Sequence, residues 1–128
     1  MNQSNLIPIG GSHFISLETA ETLTSYYRSM RETILASGYK NKNVLPLSET
    51  FSVADIKDLI EQPGCTGFRI YYGMKEEDDT VHAVMVAVNE DNEDIIFSES
   101  SKLSGENIII EEGQRCPVIC PPSSPLNS

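Results

Sequence analysis

Apolar side chains early in the chain recur at helical spacing. Ala20, Leu23, Tyr27, Met30 and Ile34 follow one another at intervals of 3, 4, 3 and 4 residues, one stripe of an α-helix that starts behind an N-cap at Ser16 and runs to Ser37, with Gly38 as its C′ stop. Such a stripe predicts core packing against a sheet or a second helix. After a linker from Tyr39 to Thr50, Ser52 caps a shorter helix in which Asp55 stands at N3 and Phe51 can staple onto Ile56. Ile56, Leu59 and Ile60 carry its apolar face until Pro63-Gly64 stops it. The period then drops to two. Phe68, Ile70, Tyr72 and Met74 alternate with Arg69, Tyr71 and Gly73, and Val84, Val86 and Val88 alternate with Ala83, Met85 and Ala87, predicting strands at 67–74 and 81–89. The residues 75–80 between them make a solvated hairpin tip. Ile95-Ile96-Phe97 predicts a third strand and Ile108-Ile109-Ile110 a fourth.

These elements predict an α+β fold: two N-terminal helices packed on one face of a three- or four-stranded antiparallel sheet. A chain of 128 residues suits a single domain over 1–128, with an irregular lead-in at 1–15 and a proline-rich tail at 116–128. Four of the seven prolines fall between Pro117 and Pro125, so the tail from Cys120 onward is expected to be extended and mobile. With Phe68, Ile70 and Tyr72 turned to the helices, the opposite sheet face is expected to present Arg69, Tyr71 and Gly73 with Ala83, Met85 and Ala87. That semi-polar, low-relief face suits a homo-oligomer or a protein partner better than a deep substrate pocket.

Charge is distributed unevenly. Residues 1–75 hold 7 acidic and 7 basic side chains, whereas residues 76–128 hold 12 acidic ones against Lys102 and Arg115, so all of the net charge of −10 lies in the second part. Such a field repels phosphate backbones and anionic lipid, and no nucleic-acid or membrane partner is expected. No apolar run approaches the ~20 residues of a membrane span, and the N-terminus has neither the basic nor the apolar region of a secretion signal. A cytoplasmic location is expected, where the three cysteines would be thiols.

Two constellations could carry chemistry. Cys116-Pro117-Val118-Ile119-Cys120 places two thiols where they could share a metal or form a reversible disulfide, with Cys65 or His82 as further soft ligands. Against this, the spacing is neither CxxC nor half of a paired zinc motif. Pro117 biases Cys116 towards an extended conformation, and the β-branched Val118 and Ile119 resist left-handed turn positions. The expectation is therefore an unbridged pair, with Val118 and Ile119 docking the tail. The second constellation is Arg69, Tyr71 and His82, which a close hairpin could gather into a patch suited to binding a carboxylate or phosphate or, as a lower-ranked enzymatic reading, to proton transfer. Its register is open, and a one-residue slip moves His82 to the other face.

The acidic clusters at 76–79 and 90–94 read as solvated turns in which carboxylates titrate alike, a poor basis for acid–base catalysis. Asn89, Asp91 and Glu93 have the spacing that opens a calcium loop, without its glycine or bidentate glutamate. His13 has no evident partner. G-x-S-x-G, GxGxxG and P-loop motifs are absent, so no catalytic residue and no cofactor is assigned and an enzyme is disfavoured.

The strand Gly67-Phe68-Arg69-Ile70-Tyr71-Tyr72-Gly73, the capped helix before it and the closing Cys116-Pro117-Val118-Ile119-Cys120 resemble a family of small uncharacterised bacterial proteins with a G-x-R-I-Y-Y-G-type strand and a Cys-Pro tail. The likeness spans about residues 15–120, rests on short motifs, and implies no activity; the tail spacing here departs from the compact C-P-P-x-C form. The expected function is a non-enzymatic binding or protein-interaction module. The alternative is a thiol-based metal or redox module using Cys116 and Cys120, with or without Cys65.

Overall fold

The computed structural model describes residues 12–96 and 108–128. Along them lie helix α1 (Leu17–Met30), a 3-10 turn (Ser37–Tyr39), strand β1 (Ser48–Thr50), helix α2 (Val53–Ile60) and strands β2 (Gly67–Met74), β3 (Val81–Val88), β4 (Asp94–Ile95) and β5 (Gln114–Cys116). The class is α+β, and the strands form two antiparallel sheets, β2-β3-β4 and β1-β5. Among the described residues no helix is long and apolar enough to cross a membrane. The described residues of Phe51–Tyr72 and Ala83–Glu112 form one compact unit, and those of His13–Thr50, Gly73–His82 and Gly113–Ser128 form a second.

The first unit has the apolar core. Ser52 caps α2 as expected, its hydroxyl accepting from the Asp55 amide at 3.2 Å, and Gly64 takes the positive φ that turns the chain after the helix. Leu59 packs with Met85 and Ala87, flanked by Phe51, Ile56, Cys65, Ile95 and Ile110. Directly opposed residues of an antiparallel pair share a face. Ala87 lies opposite Ile95, on the α2 side, and Val88 opposite Asp94, on the other. Met85 and Ala87 are thus core residues, which corrects their expected place on the open face. Phe68, Ile70 and Tyr72 stay exposed, because a helix of eight residues reaches only ~12 Å and α2 lies over β3. The third strand begins at Asp94, earlier than expected, and Phe97 lies outside the described residues. The fourth reduces to a bridge between Met85 and Ile110.

The second unit is assembled differently. Its only fully buried apolar residues among those described are Val44 and Cys116. α1 has its expected cap, Ser16 accepting from the Thr19 amide at 3.0 Å, yet the helix ends at Met30 and continues as turns through Leu35. β-Branched Thr33 and Ile34 favour that early end. No α1 residue is fully buried, and Leu23 is 61% exposed, so the expected apolar stripe is not a core stripe. What holds α1 is polar: the Tyr27 hydroxyl donates to the Pro46 carbonyl at 2.6 Å and Arg31 Nε to the Leu45 carbonyl at 2.9 Å. The segment expected as linker contains β1, which pairs with β5 in the register Ser48–Cys116, Glu49–Arg115, Thr50–Gln114.

The tail folds back on α1 instead of running on as an extended segment. Arg28 donates to the carbonyls of Leu126 at 2.6 Å and Ser128 at 2.8 Å, and Ser124 and Asn127 close a turn on each other. The side chains of Val118 and Ile119 stay exposed. Leu59→Ala should cost about 2–5 kcal/mol in urea unfolding, whereas Leu23→Ala should change stability by under about 0.5 kcal/mol. A loss at Leu23 as large as that at Leu59 would restore the core reading of the stripe.

Candidate functional site

Arg69 and Tyr71 do come together, around residues that sequence reasoning read as a solvated turn. Arg69 Nη1 bonds Asp94 Oδ1, Arg69 Nη2 bonds both the Asn92 carbonyl and its Oδ1, and the Tyr71 hydroxyl donates to Asp94 Oδ2. The guanidinium lies 6.0 Å from the centroid of the Tyr71 ring. Since β3 lies between β2 and β4, and neighbouring strands are ~4.8 Å apart, these side chains bridge over β3 on the face that Val88 shares with Asp94. An arginine is long enough to make that span, and its fork grips the carboxylate and the turn at once. Burial lowers the Arg69 pKa, but hydrogen bonds to Tyr71 and Asp94 and the Asp94 charge outweigh it and hold the guanidinium above its ordinary value. The pair braces the β3–β4 turn. That turn is further closed by Asn89 Oδ1, which accepts from the amides of Asp91 and Glu93 at 3.0 Å each, so the calcium-like spacing serves an Asx turn.

His82 has partners in the second unit. Its Nε2 lies 2.7 Å from Thr80 Oγ1, and its Nδ1 lies 3.7 Å from Glu49 Oε1. Thr80 Oγ1 donates its proton to Asp78 Oδ1 at 2.6 Å, so the hydroxyl must accept from His82, which assigns the Nε2–H tautomer to the neutral ring. The order hydroxyl, imidazole, carboxylate is that of a nucleophile and its base, but the hydroxyl's proton points to Asp78 and the Nδ1 to Oε1 distance exceeds a hydrogen bond. Beside this row Arg115, missed from the sequence, joins three segments: Nε donates to the Val81 carbonyl at 3.0 Å and Nη2 to the carbonyls of Asn43 and Val44 at 2.8 Å each.

Cys116 and Cys120 are joined in a disulfide, their Cα atoms 4.6 Å apart, which corrects the expected unbridged pair. The turn forms without any left-handed residue: the Cys116–Pro117 peptide is cis, neither Val118 nor Ile119 has positive φ, and the Ile119 amide donates to the Arg115 carbonyl at 2.9 Å. The resistance of β-branched residues to left-handed turns therefore does not apply. Cys65 is a free thiol of the first unit and donates to the Gly67 carbonyl at 3.2 Å. Among the described residues no three His, Cys, Asp or Glu side chains are grouped to hold a metal ion.

The disulfide forms part of the wall of a 690 Å³ cavity in the second unit, within the usual ~300–1,000 Å³ of ligand sites. α1 supplies Tyr27 and Arg28, β1 and its approach supply Ser48 and Leu47, and the tail supplies Pro121, Pro122 and Leu126 among others. Burial pushes the Tyr27 phenol above its ordinary value against the pull of Arg31, so it stays neutral at neutral pH. Arg28 is the one charged residue of the lining, and both its terminal nitrogens are occupied by tail carbonyls. No motif announces this cavity, because its walls come from segments far apart in sequence.

The hydroxyl and amide of Thr80 hold the Asp78 carboxyl below its ordinary 3.8. A depressed folded value means that the Asp78 interaction is fully present above pH 3.8 and is lost as pH falls through the lower folded value. Thr80→Val should bring the Asp78 pKa back towards 3.8, as read by carboxyl NMR titration, and shift acid unfolding to higher pH. An unchanged Asp78 titration would remove Thr80 from that role.

No protein-family model, curated protein or solved structure matches the chain.

Proposed function

We propose that this chain is a non-enzymatic binding module whose ligand site is the cavity between α1, the approach to β1 and the tail. One observation carries the reading: a cavity of 690 Å³ whose wall is mainly apolar and includes the disulfide, with Thr24, Ser48, Ser123, Ser124 and Asn127 as its uncharged polar members, in a unit otherwise held together by polar contacts. Its chemistry selects the ligand. The lining contains no carboxylate, and its single guanidinium is already bonded to backbone carbonyls, so an ionic ligand finds no counter-charge. An uncharged, largely apolar small molecule or ring is what Tyr27, Leu47, Leu126 and the prolines can bury. The net charge of −10 also disfavours a nucleic acid.

The thiol-based redox reading stands second, supported by the Cys116–Cys120 bond in the cavity wall. For a chain read as cytoplasmic, a disulfide is a responsive group more often than a structural one.

Neutral fluorescent probes such as Nile red should bind saturably, and better than carboxylate, phosphate or ammonium analogues of similar size. Leu47→Asp and Leu126→Asp each bring a charge to the apolar wall and should weaken neutral-probe binding by about tenfold or more with the far-UV spectrum unchanged. Absence of saturable binding, or equal binding by both variants, would sink the proposal.

A further inference from the structure

The structure assigns Cys120 Sγ as a site of thiol–disulfide exchange, with a dithiol reductant as co-reactant and the tail wall of the cavity as the part that responds. The exchange stands on its own geometry; its effect on a ligand rests on the binding reading above.

Three observations converge on it. First, the two sulfurs differ in access: Cys116 is 5% exposed, within β5, whereas Cys120 is exposed at the start of the tail. A thiolate must approach along the S–S axis from the side opposite the leaving sulfur, and of the two residues it is Cys120 that is exposed while Cys116 is buried. Second, the leaving sulfur is well placed to remain. Cys116 is held by β5, and its carbonyl accepts from the Leu47 amide at 2.8 Å. Third, the tail has two kinds of attachment: the covalent one at Cys120 and the Arg28 bonds to Leu126 and Ser128.

One thiolate of the dithiol attacks Cys120 Sγ, forming a mixed disulfide as the Cys116–Cys120 bond breaks and Cys116 leaves as a thiolate that takes a proton from water. The second thiol of the reductant, deprotonated, attacks its own sulfur in the mixed disulfide. Cys120 is released as a thiol and the reductant as its disulfide, two electrons having passed to the protein.

Reduction removes the near attachment. The chain closed by the contact between Arg28 and Leu126 then runs from Cys116 instead of Cys120, so its free length grows from about six residues to about ten, which lowers the closure probability about twofold. The tail wall, and with it Pro121, Pro122 and Leu126, is correspondingly loosened.

The test uses the unmodified chain. Brief exposure to glutathione, acid quench, alkylation and peptide mapping should find the glutathione adduct on Cys120 with Cys116 alkylated. Hydrogen exchange of residues 123–128 should then be at least twofold faster in protein reduced by dithiothreitol, while α1 and β1 amides are unchanged, and reoxidation should restore the slow rates. Nile red affinity should fall by at least twofold on reduction. An adduct chiefly on Cys116, or tail exchange equal in both forms, overturns the assignment. Acceleration of α1 and β1 amides together with the tail also overturns it, because the bond would then brace the whole unit. Failure of the oxidised protein to bind any neutral probe contradicts the ligand reading alone, since adduct position and exchange rates still decide the exchange site. Faster tail exchange with equal probe affinity in both forms overturns its control of the cavity.

Discussion

Arginine side chains bonded to backbone carbonyls are the contacts on which the second unit depends. Arg31 donates to Leu45, Arg28 to Leu126 and Ser128, and Arg115 to Asn43, Val44 and Val81. The accepting residues lie mainly in loops and in the tail, outside the ladders of a sheet or helix, and the Val44 carbonyl accepts from the Val81 amide as well. A guanidinium carries five donors in a rigid fork, so Arg28 satisfies two such carbonyls and Arg115 three, fixing their separation. With Val44 and Cys116 as its only fully buried apolar residues among those described, this unit has little hydrophobic area to hold it.

The cavity follows from that mode of assembly. Segments joined through the tips of long side chains remain farther apart than segments packed apolar face to apolar face, and the gap between α1, the approach to β1 and the tail is the 690 Å³ space. The disulfide sets one wall and Arg28 the other end of the tail, and occupation of Arg28 by carbonyls leaves the space without a usable charge. The first unit shows the contrast. There Leu59, Met85 and Ala87 close on one another, and its arginine, Arg69, braces a turn from across the sheet.

Local signals were legible in the sequence and long-range ones were not. Ser16 and Ser52 announced their helices because a cap is a contact over three residues, and the period-two runs announced β2 and β3 because each strand carries its own pattern. The stripe Ala20, Leu23, Tyr27, Met30, Ile34 misled: helical period shows which side chains align, not whether a partner covers them. β1 and β5 are three residues each, too short for a pattern, and exist through Arg115 and the Leu47 amide as much as through pairing. Asp94 was hidden in an acidic run because its role depends on lying opposite Val88, a register that no single strand records. The disulfide was not legible because its turn needs no left-handed residue and is closed by the Ile119 amide on the Arg115 carbonyl, a contact that the residue types do not announce.

The most direct test of this account is the urea stability of Arg115→Lys. Lysine keeps the charge and most of the stem but cannot fork across three carbonyls, and hydrogen bonds to charged donors are worth about 1.5–3 kcal/mol each. The substitution should cost at least about 2 kcal/mol, with faster amide exchange at Val81 and Leu47. A variant within about 0.5 kcal/mol of the parent protein, with those amides equally protected, would contradict the dependence of the second unit on its arginine–carbonyl bonds.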